Sequence, residues 1–349
     1  MDDREKFLTK SSVALGRCAI PKRRGLVLRG LNALAEVKDA DYYFFKAEEK
    51  RESGNTLQAV ALYERALTID AQHEDALFFM GYCLLPEVEG RELDNIDWSL
   101  EERYRRACDV YKQLVDLRIR RDALTRDDYI TFCNLGLAEY HLHDLEHACE
   151  RFKKAIELNP DYDNAYLMAG VIYDEWGEHR DAAMYYQQAV EINPENSEAY
   201  YNLGLAQQSL GLYEDAVISF TRAMELNAHD PDASYAMGSA QEHIGFFHLA
   251  LKYYELFLTL YAQSHSTEAE RTIQYVEQRI HKMRALLTDT YYFNIGTRLW
   301  ESGEKEEAMA CFEIAVQLRH AGSGQKSPSN GSDDETDGSR MRPMKGMAN

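Results

Sequence analysis

Residues 163–196 read DNAYLMAGVIYDEWGEHRDAAMYYQQAVEINPEN, and this stretch decides the fold. Tyr166, Ala169, Gly170 and Tyr173 fall at the spacing of one helix face; Ala182, Tyr186 and Ala189 do the same beyond Gly177. Two amphipathic helices joined at a glycine turn follow from that pattern. The small Gly170 and Ala182 let the paired helices approach closely, while the aromatic rings fill the gap toward the neighbouring unit. Asn193-Pro194 then ends the second helix, because proline cannot continue a helix interior.

Outward from this stretch the same residues recur at a constant step of 34, as Gly136, Gly170, Gly204 and Gly238. Ala148, Ala182, Ala216 and Ala250 keep that step, each followed four residues later by an aromatic: Phe152, Tyr186, Phe220 and Tyr254. A third series, Ala155, Ala189, Ala223 and Phe257, follows three residues on. Chance does not hold four periods in register, so the chain is an array of helical hairpins rather than two globular domains.

The pattern resembles the tetratricopeptide-repeat (TPR) family, whose signature is carried here by Tyr200-x2-Leu203-Gly204, by Ala216-x3-Phe220 and by Leu158-Asn159-Pro160, with Tyr in place of the usual Trp. The resemblance implies an all-α TPR solenoid, a right-handed superhelix of antiparallel helix pairs. Seven repeats are expected, at 40–73, 74–128, 129–162, 163–196, 197–230, 231–264 and 289–321. The second is irregular, with an insertion near 85–100 between its helices. An extra helix spans 265–288, a partly helical N-terminal extension of 1–39 caps the first repeat, and the polar tail of 322–349 is expected to be disordered. Leu26, Leu28, Leu31 and Leu34 give that extension an apolar side suited to an end cap rather than to a membrane surface.

In the family the first helix of each pair lines the concave face, and that rule, carried over by resemblance, selects a partner-binding groove. Its residues are Phe44, Phe45, Phe78, Phe79, Tyr82, Asn134, Leu137, Met168, Val171, Tyr201, Asn202, Leu205, Tyr235, Phe293 and Asn294. The adjacent pairs Phe44-Phe45 and Phe78-Phe79 cannot both bury every ring in one helix interface, so at least one ring of each is expected to face the groove. Phe44 and Phe79 together are expected to serve a ligand more than the stack.

Asp and Glu number 59 against 39 Lys and Arg, a formal net charge of −20 that repels nucleic-acid phosphate and anionic lipid. The expected partner is a protein or peptide presenting apolar and basic side chains. Co-chaperones of the family that grip acidic heat-shock-protein tails use Lys and Arg on successive first helices. Cys133, Leu137, Asp232 and Ala236 stand at such places here, with only Asn202 retained, so that ligand is not expected.

No GxSxG, HExxH or P-loop pattern occurs, and no catalytic residue, cofactor or metal is called for. His141, His143 and His147 lie at a turn between helices, where polar residues simply meet water. The six cysteines form no CxxC pair and are read as reduced, packed thiols. The basic run Lys22-Arg23-Arg24 precedes too short an apolar stretch for a signal peptide, so a cytoplasmic protein is expected. The function that follows is a non-enzymatic scaffold or adaptor. The alternatives are a holdase chaperone for a secretion or membrane client, and a regulatory subunit of an enzyme supplied in trans.

Overall fold

A computed structural model describes residues 38–86, 99–261 and 267–323. The expected N-terminal cap, most of the insertion and nearly all of the polar tail lie outside them. Fifteen α-helices and no strand occur among the described residues. They are α1 (Ala40–Glu52), α2 (Thr56–Ile69), α3 (Glu74–Leu84), α4 (Leu100–Arg120), α5 (Tyr129–His141), α6 (Leu145–Leu158), α7 (Asp163–Glu175), α8 (His179–Ile192), α9 (Ser197–Ser209) and α10 (Tyr213–Leu226). Then come α11 (Pro231–Ile244), α12 (Phe247–Tyr261), α13 (Thr267–Leu286), α14 (Asp289–Ser302) and α15 (Lys305–Ser323).

Two compact units divide within α13, at Val276 and Glu277. In the first, each odd-numbered helix through α11 packs on the helix that follows it and on the one before it, as an all-α solenoid of hairpins does. Contacts also join α3 to α5, α7 to α9 and α9 to α11, so successive first helices approach one another. No comparable contact joins successive second helices, which places the first helices on the tighter, inner side of the curve. The second unit contains the α14–α15 hairpin.

Beyond α1–α2, where Ala47 stands instead, the described hairpins close on one glycine and one ring. A Cβ built on Gly170 would lie 2.6 Å from the Tyr186 ring, on Gly204 2.5 Å from Phe220, on Gly238 2.9 Å from Tyr254 and on Gly296 2.7 Å from Phe312. Gly136 is looser, its Cβ meeting Phe152 and Arg151 at 3.1 Å. The rings therefore lie against the glycine of their own hairpin and also reach the next unit, Tyr186 sharing a core cluster with Ala199 and Leu203, and Phe220 with Ala236 and Met237. Knob and socket belong to one 34-residue repeat, which makes the hairpin the packing unit.

The turn between paired helices needs a left-handed residue, and Gly54, Gly177, Gly211, Gly245 and Gly303 supply it with φ from +77° to +96°. In α5–α6 the same place holds His143 at φ 60°. Proline is not what stops the second helices. α10 ends at Leu226 before Asn227-Ala228, and α2 at Ile69 before Asp70-Ala71, with the same cap geometry as at Asn159 and Asn193. The common element is an Asn or Asp whose side chain competes with the helix for backbone N–H groups: Asn193 accepts from Glu195, and Asp70 from Gln72 at 2.9 Å.

Candidate partner-binding groove

The inward side of the first helices is not uniform. On α3, Phe78 and Tyr82 are buried, Phe78 edge-on to Tyr111 at 6.2 Å, while Phe79 is half-buried. On α5 every residue from Ile130 to Glu139 is buried, Asn134 and Leu137 included. Asn134 donates from Nδ2 to the Tyr111 hydroxyl at 3.0 Å. Met168 on α7 is buried as well. Phe78, Tyr82, Asn134, Leu137 and Met168 are thus corrected from groove-lining to core positions. The cause is that each faces a neighbouring helix closely enough to lose its water.

On α1 the two rings separate. Phe45 is 47% exposed, whereas Phe44 is half-buried among Tyr63 at 6.0 Å, His73 at 5.0 Å and Phe79 at 6.2 Å. Phe79 also carries the Arg51 guanidinium 5.0 Å above its ring. Phe44 and Phe79 are consequently part of the stack, and truncating them tests packing as much as binding.

From α7 onward individual positions of the inner side open, most of them on α9. Val171, Tyr201, Asn202, Leu205 and Tyr235 are all half-buried, each presenting part of its side chain to water. Tyr201 tilts against Phe220 at 6.0 Å, and Tyr235 against Tyr254 and Phe257 at 5.5 Å. Burial, then the carboxylates of Asp232 and Asp230, push the Tyr201 phenol well above its ordinary range. Glu198 stands on α9 one turn before Asn202, and burial alone pushes its carboxyl up to about 8. Gln208 on α9 donates to the Ser239 hydroxyl on α11 at 3.2 Å, tying the rims of these two first helices. Within the second unit, Phe293 is 53% exposed and Asn294 is exposed beside it on α14.

The histidine run serves the hairpin turn. His141 stacks on Tyr104 at 4.3 Å, and His147 bonds the α6 N-cap carboxylate of Asp144 at 2.8 Å. No group of His, Cys, Asp and Glu among the described residues could hold a metal ion. Cys83, Cys108, Cys133, Cys149 and Cys311 are free and buried. No described helix is long and apolar enough to cross a membrane.

Sequence reasoning missed Glu139, a carboxylate 1% exposed that sits between Lys112 Nζ at 3.0 Å and Arg151 Nε at 3.3 Å. It also missed Glu198 as a desolvated group. Neither carries a local signal, since both look like solvent-facing carboxylates of an acidic chain.

Known proteins bear on the fold. The crystal structure of the APC/C hetero-tetramer Cut9-Hcn1 matches at a TM-score of 0.50 and 16% identity, over 68% of this chain and 43% of that one. A Pseudomonas aeruginosa protein described as pilF matches at a TM-score of 0.51 and 16% identity, over 67% and 96%. The MamA protein is 25% identical over 55% of this chain and 94% of its own, at a TM-score of 0.46. The comparison with curated protein sequences finds no match. Tetratricopeptide-repeat family profiles match residues 40–73, 127–195, 185–218 and 289–319. Those matched segments carry tetratricopeptide repeats, and the chain is a tetratricopeptide-repeat protein.

Proposed function

We propose that this protein is a non-enzymatic scaffold or adaptor that holds a peptide or protein segment against the inner face of α7, α9 and α11. The observation that carries the reading is the half-open strip Val171, Tyr201, Asn202, Leu205 and Tyr235 on three successive first helices. Such a strip combines aromatic and aliphatic contact area with one amide able to meet a peptide backbone. Rings already held by packing lose little freedom on binding, which favours anchoring by Tyr201 and Tyr235. The acidic surplus of the chain favours a partner with basic residues, whose on-rate and affinity fall with salt.

The test is retention of partners from native extract at low salt by the full chain and by Tyr201→Ala with Leu205→Ala. The expected result is a saturable set of retained proteins that the double variant loses while its helical circular dichroism stays. Equal retention by both overturns the reading. Suppressed aggregation of unrelated clients, with no saturable partner, would turn it into a holdase.

A further inference from the structure

Second helices carry two apolar places, three residues before the core ring and four after it, that pack toward the hairpin that follows. They are Val60 and Leu67 around Tyr63 on α2, Cys108 and Val115 around Tyr111 on α4, and Ala183 and Val190 around Tyr186 on α8. All six are buried or half-buried, and α2, α4 and α8 each pack on the next first helix. On α15 the same places around Phe312 hold Met309 and Val316, which are 50% and 54% exposed. Phe312 itself is half-buried, whereas Tyr63, Tyr111, Phe152, Tyr186, Phe220 and Tyr254 are at most 2% exposed. α15 thus has the face that receives another helix, and among the described residues no helix comes after it.

The opposite boundary is built differently. Internal first helices turn small or apolar residues back toward the preceding hairpin, as α7 does with the buried Ala165, Ala169 and Ile172. α1 holds Tyr42, Lys46 and Glu49 at those places, all exposed, with Lys46 bonded to Glu49 at 2.8 Å. Such charge closes a solenoid face to further stacking, and α15 has no equivalent on its own. A covering element for α15 has to bring apolar surface. Residues 324–349 contain no Leu, Ile, Val, Phe, Tyr or Trp, so the segment after α15 does not supply it. A second copy of the chain does, through the same face, while its charged α1 does not.

We propose that two copies of this chain pair α15 against α15, antiparallel, across a two-fold axis near Phe312 and Glu313. Each Met309 then lies against Val316 of the second copy, and each Phe312 ring gains the cover that its counterparts have. Charge fits that orientation and not the parallel one. The first turn of α15 is acidic, with Glu306 and Glu307, and its last turn carries Arg319 and His320. Antiparallel helices set those opposite charges, and opposite dipole ends, side by side. Glu313 works against the pairing, because close to the axis it approaches its own copy. The interface is independent of the groove reading.

The experiment is sedimentation equilibrium of the full chain across a range of concentrations, with wild type beside Met309→Glu combined with Val316→Glu, and beside Glu313→Gln. Wild type is expected to show a monomer–dimer equilibrium. The double Glu variant should dimerise at least about tenfold more weakly while keeping its helical circular dichroism, since both positions are exposed in the single chain. Glu313→Gln should tighten the dimer about threefold by removing a like-charge approach. A monomer at every concentration overturns the inference, whether α15 stays bare or another segment of the same chain lies on it. A dimer equally strong in the double Glu variant also overturns it, since the copies then meet elsewhere, and so does a series of larger assemblies growing with concentration, which a two-fold interface does not build. Should the double Glu variant lose helicity, Met309→Ser with Val316→Ser carries the comparison, and undiminished dimerisation there counts against α15.

Discussion

Helices α5 and α9 occupy the same place in their repeats, and they meet opposite fates. Cys133, Asn134 and Leu137 on α5 are buried where Tyr201, Asn202 and Leu205 on α9 are half-open. The difference comes from what precedes them. α4 is 21 residues long, against 14 for α6, α8 and α10, and its added turns lay Tyr104 over His141 at 4.3 Å while Tyr111 reaches Asn134. The overlong helix adds cover on α5, but α7 and α11 follow 14-residue helices and still bury Leu167, Met168, Ala236 and Ser239. The repeat pattern thus encodes the hairpin, and the side chains of neighbouring helices decide position by position what a hairpin offers.

The sharpest break between the two regions lies in their buried carboxylates. Glu139 on α5 is buried and fixed by the partly exposed Lys112 and Arg151, and removing its charge leaves both cations without their shared carboxylate. Glu139→Gln should therefore cost about 3 kcal/mol, read as a lowered denaturant midpoint. Glu198→Gln should change stability by less than about 0.5 kcal/mol near neutral pH, because Gln resembles the protonated acid already present. The sign of the pH effect follows from the raised value. The folded state holds the Glu198 proton up to about 8, whereas an unfolded Glu releases it near 4.3, so stability is full below the lower value and declines as pH rises between them. That contribution to the decline should be missing from Glu198→Gln. Equal losses for the two variants would mean that α9 is as closed as α5.

Glycine sockets give the next largest effect. A methyl at Gly204 would stand 2.5 Å from a fully buried Phe220, so Gly204→Ala should cost about 2 kcal/mol through overpacking. At Gly136 the nearest atoms are 3.1 Å away, and Gly136→Ala should cost well under half as much. Thermal midpoints of the two variants measure the contrast. A reversed order would show that the α5–α6 hairpin, not α9–α10, is the tighter crossing.

How far the sequence reveals this molecule follows from which forces act within a repeat and which act between repeats. Glycine, ring and turn are intra-repeat features, so their spacing alone exposes Gly170 against Tyr186 and Gly204 against Phe220. Burial of Asn134 depends on Tyr111 in a different repeat behind an irregular connection, and no periodicity carries that. Glu139 likewise meets Lys112 from the preceding helix and reads in isolation as an ordinary surface acid.

The smallest effect concerns the turn of the closed hairpin. His143 stands at φ 60° where Gly54, Gly177, Gly211, Gly245 and Gly303 hold the corresponding turns, and a residue bearing a Cβ crowds its own carbonyl in that region. His143 is exposed, so nothing in the core requires the imidazole. His143→Gly relieves the left-handed strain but adds freedom to the unfolded chain, and the two partly offset, leaving a stabilisation of about 0.5 kcal/mol. Gly177→His, the mirror exchange in the open region, has no steric obstacle within 4 Å and should destabilise by a similar amount through backbone strain alone. If both exchanges raise the denaturant midpoint, the turns are not equivalent and the register that aligns α5 with α9 is wrong at its shared fifteenth position.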